Sequence, residues 1–223
     1  MTAPILLALD PSIAAFGWAA IALAPTPLLV AAGVIETKPA SAKKRKAERI
    51  SVAEDDARRM RWIRRQLSQA VRIYSPVIAA IEVPFGSQAA KAAKALGAAQ
   101  AIAACVVDEH LDGRAVYITV HEAGDAIGIA RTQRVAKGEP RRDSAERAES
   151  SKARKQAVAR AVVDRLGLFA WIRALGLEVN AAAGGDVAVM HHRFEGAHDA
   201  AAVGLAAWER PEIAALRAMA AAA

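Results

Sequence analysis

Three short apolar runs within the first 36 residues constrain the fold of this chain most. Ile5 to Leu9 is continuous and apolar, as suits a central strand covered on both faces. It ends at Asp10, where Pro11 and Ser12 turn the chain. Phe16 to Leu23 reads as a second strand, Pro25 and Pro27 mark another turn, and Leu28 to Glu36 reads as a third strand. Runs this close together predict an antiparallel meander. Beyond it the period changes. In residues 52–73, Met60, Ile63, Leu67, Val71 and Tyr74 recur at helical spacing, and Ser75-Pro76 stops the helix. Val77 to Val83 is a strand, Ala89 to Val107 an Ala-rich helix, Arg114 to Val120 a strand, and 121–130 a short helix. Residues 152–166 are helical through Val158, Val162 and Leu166, and a last helix begins near Asp199 and runs through Val203, Leu205 and Trp208. The order β-β-β-α-β-α-β-α-α predicts a single α/β domain over 1–223, with a mixed five-stranded sheet flanked by helices.

Composition narrows the packing and the partners. The chain is 54% hydrophobic but only 4% aromatic, and much of the apolar part is alanine, so its helices are expected to pack closely through small side chains. A net charge of +7 favours polyanionic partners, nucleic acid first among them. Cys105 is the single cysteine, which excludes an intrachain disulfide framework and a Cys-based zinc site. It lies in an Ala/Val/Ile run and is expected to be a small core residue in a protein of the reducing cytoplasm. Residues 3–30 are apolar but carry Asp10, Pro11, Gly17 and Pro25 without a preceding basic region. They read as strands, not as a targeting segment or a membrane span.

Two segments are conspicuously polar. Residues 38–49 (KPASAKKRKAER) read as a basic loop, and residues 131–151 (RTQRVAKGEPRRDSAERAESS) as a mobile basic insertion with almost no large apolar groups. Residues 178–194 contain glycine and receive no assignment.

Three acids stand out because they lie in apolar surroundings at element ends. Asp10 closes the first strand, Glu82 the fourth, and Asp199 opens the last helix. A buried carboxylate needs a partner, a proton or a metal. Singly, each also suits a helix cap or a salt bridge. If strands one and four are neighbours, Asp10 and Glu82 project from one sheet edge, and a helix beginning at Asp199 can add a third carboxylate. Oxygen-only ligands of this kind suit Mg²⁺, and a pair of such ions serves phosphoryl transfer.

These residues sit in segments that resemble a known family. LLALDPSIAAFGWAAIAL followed by AAGVIET is similar to the opening hairpin of the RuvC family of Holliday-junction resolvases, within the RNase H-like superfamily. RIYSPVIAAIEVPFGSQAAKAAKALGAAQAIA resembles its second block, SKARKQAVARAVVDRLGL its lysine-bearing third helix, and HDAAAVGLAAW its final acidic helix. The resemblance implies an RNase H-like fold, a homodimer in the cytoplasm, and nicking of branched DNA such as four-way junctions, with two Mg²⁺ ions per site that Mn²⁺ replaces. It implies Asp10, Glu82 and Asp199 as catalytic metal ligands and Phe85 as an aromatic beside the site that stacks on a junction base. Lys155, with Lys152 and Arg154 nearby, is implied at the scissile phosphate.

The chain also departs from that pattern. Many RuvC proteins carry Asp or His three residues before the last aspartate, where this chain has Gly196. Glu195 is preferred as the fourth ligand and His198 as a possible base. The Ala-His-Asp-Ala run also resembles the RuvC-type nuclease domains of CRISPR effectors, and His191 and His192 are further candidates. Three other readings use the same residues. They are a RuvC-like protein that binds branched DNA without cutting it, a transposase-like nuclease, and a phosphotransferase of the actin and sugar-kinase type.

Overall fold

A computed structural model describes residues 3–83, 90–129, 144–167 and 194–222. Five strands, β1 (Ile5–Asp10), β2 (Ala15–Ala22), β3 (Leu28–Glu36), β4 (Ile78–Val83) and β5 (Ala115–Thr119), form one sheet in the order β3-β2-β1-β4-β5. The first three pair antiparallel, as the expected meander; β1 pairs parallel with β4, and β4 with β5. The sheet is therefore mixed and five-stranded. Its centre is β1, where Leu6, Leu7, Ala8 and Leu9 are fully buried. Burying a leucine side chain contributes about 1.5–3 kcal/mol, so the first apolar run supplies much of the cohesion.

Alternation along the strands sorts side chains into two cores. Leu7, Leu9, Phe16, Ile35, Ala79 and Ile81 face α2 (Val52–Tyr74) and α3 (Ala90–Leu111). Leu6, Ala8, Ala19, Ile21 and Ala80 face the other side, occupied by α4 (Val120–Ala126), α5 (Ser144–Leu166), α6 (Glu195–Trp208) and α7 (Pro211–Ala222). On α2 the expected stripe is the buried one, with Ile63, Leu67 and Val71 in the core. Ser51 and Glu54 form a reciprocal capping box at its start. Its end is at Ser75, left-handed at φ 47°, followed by Pro76.

Several expectations need correction. Residues 38–49 are not simply a loop, because Ala42–Glu48 is a short helix, α1. Ser41 caps it, and strong helix formers carry the Lys44–Glu48 pair one turn apart. Residues 144–151 of the expected mobile insertion are the first turns of α5, for the same compositional reason; residues 131–143 lie outside the described residues. The last acidic helix starts at Glu195 and not near Asp199, so Asp199 is no N-cap, and α7 follows it without having been anticipated. Cys105 is exposed. The buried stripe of α3 runs through Ile102, Ala103, Val106 and Val107, which turns residue 105 outward.

Among the described residues no helix is long and apolar enough to cross a membrane.

Candidate active site

The carboxylates are brought together by sheet register and by one helix-to-strand contact. Leu9 pairs with Ile81, so Asp10 and Glu82 follow as neighbours at the same end of β1 and β4. Leu9 and Ile81 belong to the α2–α3 core, and strand alternation sends the next residues to the opposite face, towards α6. Asp10 also pairs with Gly17 of β2. That glycine is where α6 lands. A Cβ on Gly17 would lie 1.8 Å from the Gly196 carbonyl oxygen, and a Cβ on Gly196 would come within 3.2–3.3 Å of the backbone of Ala15 and Gly17. Backbone therefore meets backbone, and the first turn of α6 reaches the end of β1. Further along, Gly204 of α6 fits against Ile21 and Ala8. The expected close packing through small side chains is concentrated in this helix, with Ala197, Ala200 and Ala201 all fully buried.

Electrostatics register the convergence. Burial raises the Asp10 carboxyl well above its usual range; the Glu82 charge, a hydrogen bond to Glu82 and the Glu195 charge raise it further. Burial likewise raises Glu82, opposed by the hydrogen bond with Asp10. The hydrogen bond that Asp10 and Glu82 share favours the protonated form of Asp10 and the charged form of Glu82. Asp199 is pushed up to about 7 by burial and by the charges of Asp10 and Glu195, with Lys155 and Arg154 pulling the other way. Lys155 Nζ lies 2.5 Å from Glu195 Oε1. All four acids, from β1, β4 and α6, therefore sense one another or share the same bases on α5.

An open cleft of about 310 Å³ exposes the group on one side. Glu82, Asp199, Arg154 and Lys155 supply its polar lining, and Val120 and Ala123 of α4, Ile127 at its C-cap and Val158 of α5 supply an apolar wall. The wall was not identified from sequence, since nothing in 120–129 distinguishes a cleft wall from ordinary core. Gly17 was missed too, although a glycine between Phe16 and Trp18 inside a strand signals a close backbone approach.

The remaining sequence candidates are placed differently. Lys152 is exposed, one turn before Lys155 on α5. His198 is only 2% exposed, and burial lowers its pKa to about 4, opposed by a hydrogen bond to the Phe194 backbone. A neutral, enclosed imidazole of this kind suits packing better than proton transfer with cleft water. Phe85, His191 and His192 lie outside the described residues.

The donor chemistry fits a hard divalent cation. The candidate donors are all oxygen, they are desolvated, and burial and mutual repulsion disfavour their charged forms, which an ion would relieve. Among the described residues, no three His, Cys, Asp or Glu side chains already surround a single point.

No protein-family model matches the sequence, and no curated protein does. Solved structures do match. RuvC of Thermus thermophilus in complex with a Holliday junction substrate covers 91% of this chain over 91% of its own length, at a TM-score of 0.56 and 16% identity. The chain has the RuvC fold. A further structure of Thermus thermophilus RuvC covers 85% of the chain and 94% of its own, at a TM-score of 0.48 and 16% identity. Within the RuvC fold of this chain, β1, β4 and α6 are the elements that carry Asp10, Glu82 and Asp199.

Proposed function

We propose that this protein is a metal-dependent endonuclease that nicks branched DNA, four-way junctions in particular. The observation that carries the reading is the meeting of Asp10, Glu82 and Asp199 at one desolvated sheet end, beside a cleft with Arg154 and Lys155 on its rim. The matched RuvC structure, which holds a Holliday junction, supports the substrate class.

Asp10, Glu82 and Asp199 would hold two divalent ions, Mg²⁺ or in its place Mn²⁺, with Glu195 as the fourth carboxylate. When bound, these ions would lower the pKa of the attacking water and offset charge building at phosphorus. The protein's own part is to give up protons and to position the strand. Asp10 and Asp199, whose carboxyls are raised, would have to be deprotonated to hold a metal, since protonated carboxyls are poor ligands. Arg154 and Lys155, which line the cleft beside the acids, bind non-bridging phosphate oxygens. Lys155 must then share its charge between Glu195 and phosphate. The apolar wall from α4 limits bulk water around the reacting group. Hydrolysis forms a water-oxygen-to-phosphorus bond and breaks the bond to the 3′ oxygen, leaving 5′-phosphate and 3′-hydroxyl ends.

A homodimer would set two such clefts against two strands of a two-fold junction. The exposed face of α3 is small and uncharged between Lys94 and Asp108 (Gly97, Ala101, Ala104 and Cys105), as suits close packing against a second copy.

The test is cleavage of labelled four-way junctions, flaps, single strands and RNA–DNA hybrids in Mg²⁺ or Mn²⁺. The reading expects junction nicking by the wild type and a loss of at least about a thousandfold with Asp10→Asn, as for removal of a principal stabilising group. Wild-type rates with Asp10→Asn would contradict it. Junction binding with no cleavage in either metal would favour a non-cutting junction binder instead.

A further inference from the structure

The face of the sheet opposite the carboxylates carries a second concave surface. It lies between β3, at the edge of the sheet, and the outer side of α2, and encloses about 420 Å³. Its floor is Trp18 of β2, whose indole lies over Gly33 of β3; a Cβ on that glycine would come within 2.9 Å of the ring. Tyr74 packs against Trp18 with ring centroids 5.5 Å apart. Trp62 and Ile73 rise along the α2 side and remain 47% and 62% exposed, with Gln66 and Gln69 between them.

Helical spacing explains why this side of α2 is double. Trp62, Gln66, Gln69 and Ile73 recur at three and four residues and form one stripe, displaced from the buried stripe of Ile63, Leu67 and Val71. Arg58, Arg61, Arg65 and Arg72 fall at the next azimuth and form an exposed row along the groove's outer rim. From Arg58 to Arg72 that row spans about 21 Å at the α-helical rise. Arg58 is bound to Asp55, and Arg72 senses Glu109. Arg61 and Arg65, which flank Trp62 most closely, make no ion pair among the described residues. α1, just before α2 in the chain, carries Lys43 and Lys46 exposed and Lys44 paired with Glu48, and exposed Glu36 sits at the β3 side as the one acid of the groove's lining.

Trp62 is exposed and has two arginines, without ion partners among the described residues, alongside it on the same flank of the helix. This grouping matches what a nucleic-acid strand presents, with bases to stack and phosphates to neutralise. The glutamines supply donors and acceptors for base edges. A peptide adding to the edge of β3 would use the strand's backbone but would leave the arginine row without a role. We infer that the β3–α2 groove binds a single nucleic-acid strand, Trp62 stacking on a base and the Arg61–Arg65 row following the backbone. It is separate from the acid cleft, lies on the other face of the sheet, and does not depend on the cleavage reading.

The experiment is binding of fluorescein-labelled oligothymidylate to the full chain across a salt series, with Trp62→Ala, Trp62→Phe and Arg61→Ala/Arg65→Ala compared with the wild type. All three alter exposed side chains, and thermal melts verify folding. Trp62→Ala is expected to weaken binding about tenfold, the scale of one lost stacking contact. Trp62→Phe should retain most of the affinity while losing most of the binding-induced tryptophan quenching. The double arginine variant should flatten the log–log salt slope by about 1.4, from two phosphates at 0.7 each. A folded Trp62→Ala and a folded double variant that both keep wild-type affinity and slope would overturn the proposal. So would a groove that binds an extended peptide and leaves oligonucleotide binding unchanged.

Discussion

Asp199, with its pKa pushed up to about 7 from an ordinary 3.8, makes the folded protein bind more protons than the unfolded chain between those pH values. Stability in the absence of divalent ions therefore falls as pH rises through that window, by roughly 4 kcal/mol for this group alone. Asp10 and Glu82 are raised for the same reason and act in the same direction. His198 acts oppositely. Its pKa is lowered from 6.5 to about 4, so its contribution is present above 6.5 and lost as pH falls towards 4. Above pH 6.5 the acids act unopposed by His198. Thermal melts in EDTA should show Tm falling between pH 6.5 and 8, and Asp199→Asn should flatten that fall. Mn²⁺ should raise Tm more at pH 8 than at pH 5.5, because protons compete with the metal for the same oxygens. A Tm that climbs from 6.5 to 8 in EDTA would show that these carboxyls are not held neutral.

At the scale of elements, the site depends on how closely α6 can approach β2. Gly17→Ala places a methyl 1.8 Å from the Gly196 carbonyl oxygen, and backbone cannot yield as a side-chain tip does. We expect a loss of about 3 kcal/mol or more by denaturant melt, at the upper end of overpacking costs. Junction cleavage should fall further than stability does, because α6 carries Asp199. Gly204→Ala meets the movable Cδ1 of Ile21 at 2.5 Å and should cost less, about 1–2 kcal/mol. On the opposite face, Leu67→Ala opens a cavity under α2 and should cost about 2–5 kcal/mol. The same contacts explain what was legible beforehand. The strands and α2 were readable because continuous apolar runs and a stripe at three and four residues report burial directly. The starts of α5 and α6 were not. Ser144 to Lys152 is polar all round and helical by propensity alone, without an apolar stripe to reveal it. Glu195 to Ala197 is helical because Gly196 seats on β2, a tertiary contact that no local pattern encodes. Asp10 and Glu82 could be placed at one edge from strand ends, but the coupling of Glu195 to Lys155 depended on a packing of α5 against α6 that spacing does not specify.

For the whole molecule, charge and shape suggest two kinds of contact. A chain of net charge +7 with basic side chains on both sheet faces should bind junctions through phosphate contacts. Its affinity should fall steeply with salt, and an affinity flat between 50 and 200 mM salt would contradict that picture. If the small-residue face of α3 packs against a second copy, Ala101→Arg should convert a dimer to a monomer in light scattering while leaving Tm at dilute concentration nearly unchanged. A wild type that is monomeric at all concentrations would remove the two-cleft arrangement but not the single cleft. The central claim concerns that cleft, and a crystal soaked in Mn²⁺ tests it most directly. Anomalous density bounded by the carboxylates of Asp10, Glu82 and Asp199, lost in Asp10→Asn crystals, is the result this account predicts. Density elsewhere, or none at these three side chains at millimolar Mn²⁺ and pH 8, would contradict it.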